Sequence, residues 1–192
     1  MLCALDSQYV HTNLAVHYIK SYAEKHAHGF SCQILEGTVN EPPERFFDAL
    51  CEANPDIVAF SAYIWNIREI KMLCGRLRRK KPQVPILLGG PEVTFNPEPY
   101  LAAGFGIAYF DKAARKAVLP EPVVCENLAE LASPYTPDYL AKLPGRIAYV
   151  ESSRGCPFSC AFCLSGACRG VRTFPMEFVK RAILLLWRSG VK

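Results

Sequence analysis

The sequence lacks the features of a membrane-spanning or exported protein. None of its apolar runs approaches the ~20 residues that a transmembrane helix needs. Its N-terminus has no basic segment followed by an apolar stretch and a cleavage site, so we expect no signal peptide. The formal net charge is only +4, which argues against a nucleic-acid partner. We therefore predict a cytoplasmic protein that binds neither a membrane nor a nucleic acid.

A disulfide framework is also missing from the pattern of cysteines. The nine cysteines are an odd number, and Cys3, Cys32, Cys51 and Cys74 each stand alone within a predicted element. A free thiol in an apolar stretch behaves as a small hydrophobic side chain. Disulfides accumulate in oxidising compartments, so isolated cysteines of this kind indicate a reducing one.

Short apolar strands alternate along the chain with segments that have the period of helices, and the hydrophobic share of 51% is enough for a sizeable core. The predicted strands are residues 2–5, 31–36, 56–61 and 84–88, and the predicted helices are residues 14–25, a helix opened by residues 42–44, and residues 67–80. This alternation is typical of a doubly wound parallel sheet. The predicted fold class is therefore α/β, with a Rossmann- or flavodoxin-like sheet.

The residues after the third and fourth predicted strands are candidates for ligand binding, because ligands of such sheets bind beyond the carboxyl ends of the strands. They are Ser61, Tyr63, Trp65 and Asn66, followed by Gly89 and Gly90. Two glycines let a bulky ligand approach the backbone closely, since neither has a side chain. Other interpretations stay open: a strand-to-helix turn often needs glycine in any case, and tyrosine and tryptophan are often core residues.

Three cysteines lie within eight residues late in the chain, in the C-x3-C-x2-C spacing of Cys156, Cys160 and Cys163. A glycine and a proline beside the first cysteine break any helix here, so the segment is a loop that can wrap one inorganic centre. Thiolates are the preferred ligands of iron–sulfur clusters and of zinc. Zinc would need a fourth ligand such as Cys168, although structural zinc sites usually combine two C-x2-C pairs.

This loop resembles the cluster loop of the radical S-adenosylmethionine (SAM) enzymes, which shares the spacing and the aromatic residue before the last cysteine, here Phe162. The resemblance implies that Cys156, Cys160 and Cys163 ligate a [4Fe–4S] cluster whose open iron binds SAM. It also implies that the backbone around Phe162 contacts the adenine of SAM. In that family an electron donor such as a flavodoxin or ferredoxin reduces the cluster, and SAM is cleaved to a 5′-deoxyadenosyl radical. The substrate that this radical attacks stays unknown.

A second resemblance covers roughly the first 105 residues. Three runs look like the N-terminal B12 (cobalamin)-binding-type domain that precedes many radical SAM domains: residues 9–15, 61–67 and 88–93. The resemblance implies that Ser61, Gly89 and Gly90 line the nucleotide tail of cobalamin.

The cobalt-ligating histidine of the B12-binding family lies in a D-x-H-x-x-G motif after the first strand. Here the motif begins at Asp6, Gln8 stands in place of the histidine, and His11 stands in place of the glycine. Ligation of cobalt by a histidine is therefore not expected, and we expect His11 to order a loop. Either cobalamin binds without a protein ligand, or the domain has kept the fold and lost the cofactor.

The two resemblances together predict three parts: a B12-binding-type domain (residues 1–118), a proline-rich linker (residues 119–146) and the start of a radical SAM domain (residues 147–192). Such a linker is expected to be stiff and extended. Residues 106–110 resemble a strand, and a strand–helix segment before them is missing or has diverged. Residues 146–152 and 176–189 are predicted to be the first strand and helix of a partial TIM-type (β/α) barrel that is truncated after this unit.

The predicted function is that of a radical SAM enzyme in fragment form, with a cobalamin-binding-type N-terminal domain. We assign no catalytic side chain and do not expect the chain to be catalytically competent by itself. An alternative from another class stays open: a non-catalytic module that binds cobalamin or a partner, with a structural zinc or a vestigial cluster site.

Overall fold

The core of the molecule is a parallel sheet whose strands alternate with helices along the chain. The computed structural model describes residues 1–94, 97, 100, 109–111, 116–118, 124–163 and 170–191. The strands are β1 (Leu2–Asp6), β2 (Ile34–Thr38), β3 (Val58–Ser61) and β4 (Ile86–Gly89), all parallel, in the spatial order β2-β1-β3-β4. The helices are α1 (Leu14–His26), α2 (Pro43–Glu52), α3 (Ile67–Lys80) and the short α4 (Pro91–Thr94). The predicted α/β fold with a parallel sheet is confirmed.

The helices form where the sequence supplies caps and an apolar face. Asn13 caps α1, because its side-chain oxygen accepts a hydrogen bond from the amide of Val16 at 3.4 Å. In α3, Ile70, Leu73 and Leu77 follow helical spacing and are at most 1% exposed, packed with the core side chains of the sheet. Burying each such side chain stabilises the fold by about 1.5–3 kcal/mol. Within the described ranges, no helix combines the length and apolarity of a membrane span.

The four predicted strands of the parallel sheet are correct in number and in their order along the chain, but their boundaries differ by a few residues. β2 begins at Ile34 and continues to Thr38, later than the predicted residues 31–36. β4 begins at Ile86 because Pro85 has no amide hydrogen to donate to a strand ladder; its carbonyl oxygen instead accepts from Val58 N at 3.0 Å. The predicted bounds of α3 agree with the structure.

A separate two-stranded sheet follows the parallel one along the chain. β5 (Tyr109–Asp111) and β6 (Lys116–Val118) pair antiparallel with each other. The predicted strand over residues 106–110 is confirmed for Tyr109 and Phe110, and its other residues lie outside the described ones. Among the described residues β5 pairs with β6, so it adds no fifth strand to the parallel sheet. The missing segment near residue 105 stays a prediction, because that position is not described.

Residues 124–146 fold against the rest of the protein. They contain a 3₁₀ helix (Leu128–Glu130) and α5 (Pro137–Ala141), and they pack with α1 and with α6 (Met176–Arg188). Leu128, Tyr139 and Leu143 are at most 1% exposed. The prediction of an extended linker is wrong for this stretch, because burial of these side chains outweighs the preference of a proline-rich chain for extended structure. The division into three domains stays a prediction.

The cysteine segment begins in a hairpin. β7 (Ser153–Cys156) pairs antiparallel with β8 (Gly170–Thr173), and α6 follows β8. The predicted strand over residues 146–152 is wrong: Ile147, Tyr149 and Val150 are 37–45% exposed, and these residues pair with no strand. The predicted helix over residues 176–189 is confirmed to within one residue. A TIM-type barrel is built from parallel strands, whereas β7 and β8 are antiparallel. The described residues therefore do not show the predicted barrel, and it stays a prediction.

Candidate functional site

The carboxyl ends of β1, β3 and β4 lie side by side and bring predicted ligand residues together. In the register of the sheet, Ala4 lies opposite Ser61, and Ser61 lies opposite Gly89. Because the strands are parallel, their ends form a single edge, which is where ligands of this fold class bind. The structure therefore places Ser61, Gly89 and Gly90 at one edge, which we call the cofactor edge.

Two asparagines hold the cofactor edge together. Asn66 was a candidate ligand residue, but it is buried, and its Nδ2 donates to the carbonyl oxygens of Leu5 (2.9 Å) and Ser61 (3.0 Å). It thereby ties β1 to β3. Asn13 Nδ2 donates to Asp6 Oδ1 at 3.4 Å and to Ser61 Oγ at 3.3 Å. Since Ser61 Oγ accepts this bond, its own hydroxyl hydrogen is available to a ligand oxygen.

The two glycines after β4 differ in what surrounds them. Gly89 is the last residue of β4, and a Cβ added there would meet no atom of the described residues within 4 Å. Gly90 has φ +107°, and a Cβ there would lie 2.5 Å from the carbonyl oxygen of Ala62. The packing of two turns therefore requires a glycine at position 90. Gly89, in contrast, leaves open space at the cofactor edge.

A cavity of about 380 Å³ opens where β1 ends at the cofactor edge, and Ser61, Gly89 and Gly90 are not among its described lining residues. Its walls include Asp6, His11, Asn13, Tyr63, Trp65 and Tyr149. The rings of Tyr63 and Trp65 stack with their centroids 4.4 Å apart and their planes 12° from parallel. Trp65 is 48% exposed, so it is not a core residue. The cavity thus combines a flat aromatic wall with several hydrogen-bonding groups.

The loop between β1 and α1 carries the two residues that depart from the B12-binding motif. Gln8 is exposed, and its carbonyl oxygen accepts a hydrogen bond from His11 N at 3.2 Å. His11 Nδ1 lies 2.5 Å from the hydroxyl oxygen of Tyr149. The expectation that His11 orders a loop is confirmed by these contacts.

Two carboxylates beside the cofactor edge have opposite environments. Burial raises the pKa of Asp6 to about 6, and the negative charge of Glu36 adds to this effect. Burial acts in the same direction on Glu36, but the neighbouring His17 and the ammonium group of Lys142 outweigh it and lower the pKa of Glu36 to about 2. Glu36 is therefore charged at neutral pH, whereas Asp6 takes up a proton when the pH falls to about 6.

Glu36 is the centre of an ion-pair cluster that joins β2 to the chain around α5. Its carboxylate, only 6% exposed, lies 3.0 Å from Lys142 Nζ and 4.0 Å from an Arg146 nitrogen. The contact from His17 Nε2 is 3.4 Å long and too poorly aligned for a full hydrogen bond. Sequence reasoning missed this cluster, because Glu36 and Lys142 are 106 positions apart. The available signal was a charged residue inside an apolar strand.

The cysteine loop begins at the end of β7 and is open to solvent. Cys156 is the last residue of β7, Cys160 and Cys163 are exposed, and all three are free thiols. Cys163 N donates to the carbonyl oxygen of Cys160 at 3.1 Å, so the last two cysteines form a turn. Over the described part of the chain, no three histidine, cysteine or acidic side chains are grouped closely enough to hold a metal. The three thiols thus share one loop without converging on one point.

The neighbours of the three cysteines shape the loop. Gly155 has φ +95°, a conformation that favours glycine and turns the backbone just before Cys156. Phe162 is 94% exposed. Arg154 forms two 2.8 Å hydrogen bonds with the Glu151 carboxylate, which anchors the start of β7. Cys168, the possible fourth zinc ligand, lies outside the described residues.

A family and three curated proteins resemble this chain in sequence. Residues 2–118 match the family described as "B12 binding domain". The chain is 29% identical to the cobalamin-dependent radical SAM methyltransferase TokK of Streptomyces tokunonensis, over 64% of this chain and 23% of that protein. It is 25% identical to the 2-(S-pantetheinyl)-carbapenam-3-carboxylate methyltransferase of Streptantibioticus cattleyicolor, over 68% and 25%. It is 28% identical to the tRNA-2-methylthio-N(6)-dimethylallyladenosine synthase of Bdellovibrio bacteriovorus, over 60% and 28%. The chain spans about a quarter of the length of these curated relatives.

Proposed function

This chain belongs to the B12-binding domain family, and on that premise we propose that it holds cobalamin at the cofactor edge and a [4Fe–4S] cluster in its cysteine loop. The cluster would bind SAM and supply the electron that cleaves it. We extend the proposal to methyl transfer, because two of the relatives are methyltransferases and one of these is described as cobalamin-dependent. In this proposal the chain supplies the cofactor sites of a radical SAM methyltransferase.

The observation that carries the cobalamin half is the open space at Gly89. No atom of the described residues lies within 4 Å of the position of an added Cβ, which leaves a large ligand room to reach the end of β4. The hydroxyl group of Ser61 lies on the neighbouring strand and can donate to a polar group of the ligand, while Asn13 fixes its oxygen. The residues at the edge thus fit a cofactor with a long polar tail.

The loop after β1 supports binding without a protein ligand to cobalt. Gln8 occupies the motif position of the histidine, and its side chain is exposed. His11 is bonded to Tyr149 and is thereby held at the wall of the cavity. Of the two interpretations that the sequence left open, we therefore propose the one in which cobalamin binds and its cobalt has no histidine ligand from this loop.

The donor set of the cysteine loop fits an iron–sulfur cluster. Three free thiols stand in the C-x3-C-x2-C spacing, and Cys160 and Cys163 are exposed at the surface. Thiolate is the usual ligand type for such clusters. The role of these cysteines is to ligate three irons, and the exposed Phe162 would lie beside SAM at the open iron. Loading requires the loop to close, since the three thiols do not converge in the structure.

A titration with hydroxocobalamin tests the cobalamin half. We expect a saturable change in the visible spectrum, with binding at least five-fold weaker in Gly89→Ala, which fills the open space. The matched control is Gly75→Ala on α3, where an added Cβ meets only the Arg79 side chain at 3.8 Å. A variant with serine in place of all three loop cysteines excludes coordination of cobalt by exposed thiols. If wild type shows neither a spectral change nor co-purified corrinoid, the cobalamin proposal is wrong.

Anaerobic reconstitution with iron and sulfide tests the cluster half. We expect a brown protein with about four irons per chain, as the [4Fe–4S] assignment requires. Replacing Cys156, Cys160 or Cys163 by serine should abolish the absorbance, whereas Cys125→Ser, a free cysteine outside the loop, should not. Cys168→Ser distinguishes the cluster from the rival zinc site, because the cluster should persist in this variant. A colourless protein that binds zinc and loses it in Cys168→Ser would overturn the cluster proposal.

A further inference from the structure

We propose that Tyr149 is a positioning residue that couples the cofactor edge to the cysteine loop. The inference rests on the proposed function, since it concerns how a cobalamin at the edge would act on the segment that carries Cys156. The coupling path consists of hydrogen bonds that run from the β1–α1 loop, through Tyr149, to the start of β7.

The first step of the path joins the β1–α1 loop to the chain before β7. Ile147 N donates to the carbonyl oxygen of Val10 at 2.6 Å, and Thr12 Oγ1 donates to the carbonyl oxygen of Ile147 at 3.3 Å. Thr12 Oγ1 also lies 3.1 Å from the hydroxyl oxygen of the buried Tyr139. The backbone of this loop is thus fixed on both sides of His11.

The second step is the contact between His11 and Tyr149. His11 Nδ1 lies 2.5 Å from the Tyr149 hydroxyl oxygen, and both residues line the 380 Å³ cavity at the cofactor edge. Tyr149 also lines a second cavity of about 560 Å³, together with Glu151 and Arg154. Its side chain thus lies between the cofactor edge and the segment that leads to the cysteines.

The third step runs from Tyr149 to β7. The carbonyl oxygen of Tyr149 accepts from the Tyr135 hydroxyl group at 3.2 Å, and the oxygen of that hydroxyl accepts from Glu151 N at 3.3 Å. The Glu151 carboxylate then makes its two 2.8 Å bonds with Arg154, two residues before Cys156. The main chain between Tyr149 and the first cysteine is therefore held at each turn by a polar contact.

A ligand that fills the cavity must contact or displace His11, and the hydrogen bond passes this change to Tyr149. Coupling between two sites is reciprocal and typically changes the affinity or the opening equilibrium by about 5–150-fold. We expect the lower end of this range, because the hydrogen bond between His11 and Tyr149 is exposed to solvent. Filling the cofactor edge should therefore reduce the opening of β7 by about five-fold.

Hydrogen exchange of the full chain tests the coupling, with methylcobalamin in the dark as the probe. In wild type, methylcobalamin should slow exchange in residues 7–13 and, by about five-fold, in residues 153–156. In Tyr149→Phe the protection of residues 7–13 should remain, and the ratio of exchange rates with and without cofactor in residues 153–156 should fall to about one. Tyr22→Phe on α1 is the matched control, and His11→Asn, which keeps a polar side chain at position 11, should retain part of the ratio.

The outcomes separate the coupling from a structural role and from failure of the proposed function. A structural role alone would raise exchange in residues 153–156 equally with and without cofactor and leave the ratio unchanged, which would overturn the inference. If wild type binds no methylcobalamin, the proposed function fails. The coupling between the two segments is then tested by hydrogen exchange of the protein without cofactor. In the apo protein, Tyr149→Phe, His11→Ala and the double variant should then speed exchange in residues 153–156 by the same factor, whereas additive effects would contradict coupling through the His11–Tyr149 hydrogen bond.

Discussion

Replacing Gly90 by alanine should destabilise the fold, whereas the same change at Gly89 should not. A Cβ at position 90 would lie 2.5 Å from the carbonyl oxygen of Ala62, in a backbone conformation with φ +107° that non-glycine residues rarely adopt. The obstructing oxygen belongs to main chain that cannot rotate away. Ala62 N donates to the carbonyl oxygen of Gly89 at 2.6 Å, and Ala62 O accepts from Glu92 N at 3.3 Å.

The expected loss of stability follows from these two sources of strain. A non-glycine residue in a strained backbone conformation costs about 1–3 kcal/mol, and overpacking costs about 1–3 kcal/mol more. We expect Gly90→Ala to lower the free energy of unfolding by about 3 kcal/mol, which for a protein of this size lowers the Tm by about 6–12 °C. At Gly89 neither source applies, so the alanine variant should retain wild-type stability.

Urea denaturation followed by far-ultraviolet circular dichroism measures both variants on the same scale. Gly89→Ala is the control, because it adds the same methyl group one residue away in open space. If Gly90→Ala were as stable as Gly89→Ala, the inference that the close approach of the two turns requires a glycine at position 90 would be wrong. Position 90 would then be a glycine for reasons of ligand binding alone.

Three further predictions concern charge and packing. Burial raises the pKa of Asp6 from 3.8 to about 6. Because the folded state disfavours the ionised carboxylate, the free energy of unfolding falls as the pH rises through this interval. Asp6→Asn should therefore raise the Tm at about pH 8 and leave it unchanged near pH 3.5. Lys142→Met removes a partner of the 6%-exposed Glu36 and should lower the free energy of unfolding in urea by about 3 kcal/mol at neutral pH. This loss should shrink between about pH 4.5 and pH 2, because Glu36 is protonated in that interval. Lys180→Met, the control at an exposed ion pair, should cost less than about 0.5 kcal/mol in the same assay. Leu128→Ala should cost about 2–5 kcal/mol in urea denaturation, and an extended linker would predict no loss.

The parallel sheet could be predicted from the sequence because its signals are local. Each strand is a short apolar run, and the face of α3 that Ile70, Leu73 and Leu77 form follows the helical period. The cofactor edge followed from the same pattern, since the ends of parallel strands must meet. The sequence pattern did not distinguish the roles of Gly89 and Gly90. Only the positions of the neighbouring atoms show that Gly90 serves the packing of a turn and Gly89 leaves space.

Two segments after residue 118, residues 124–146 and residues 147–152, could not be predicted because their structure depends on distant partners. The apolar residues Ile147, Tyr149 and Val150 suggested a strand, but the amide of Ile147 bonds to the β1–α1 loop. The prolines between residues 120 and 144 suggested an extended chain, yet Leu128 and Tyr139 are buried against helices far away in sequence. In both cases tertiary contacts outweighed a local preference, and one sequence gives no information on such contacts.

The Glu36 cluster has a consequence for the boundary of the family domain. The match to the family ends at residue 118, but Lys142 and Arg146 lie beyond that point and neutralise a carboxylate inside the domain. A protein cut after residue 118 would keep Glu36 and lose both cations, and the β1–α1 loop would lose the contact of Thr12 with Tyr139. Removing the partners of a buried charge is strongly destabilising. We therefore expect the cooperative folding unit to extend beyond the family match, and the smallest stable piece of this protein to reach at least residue 146.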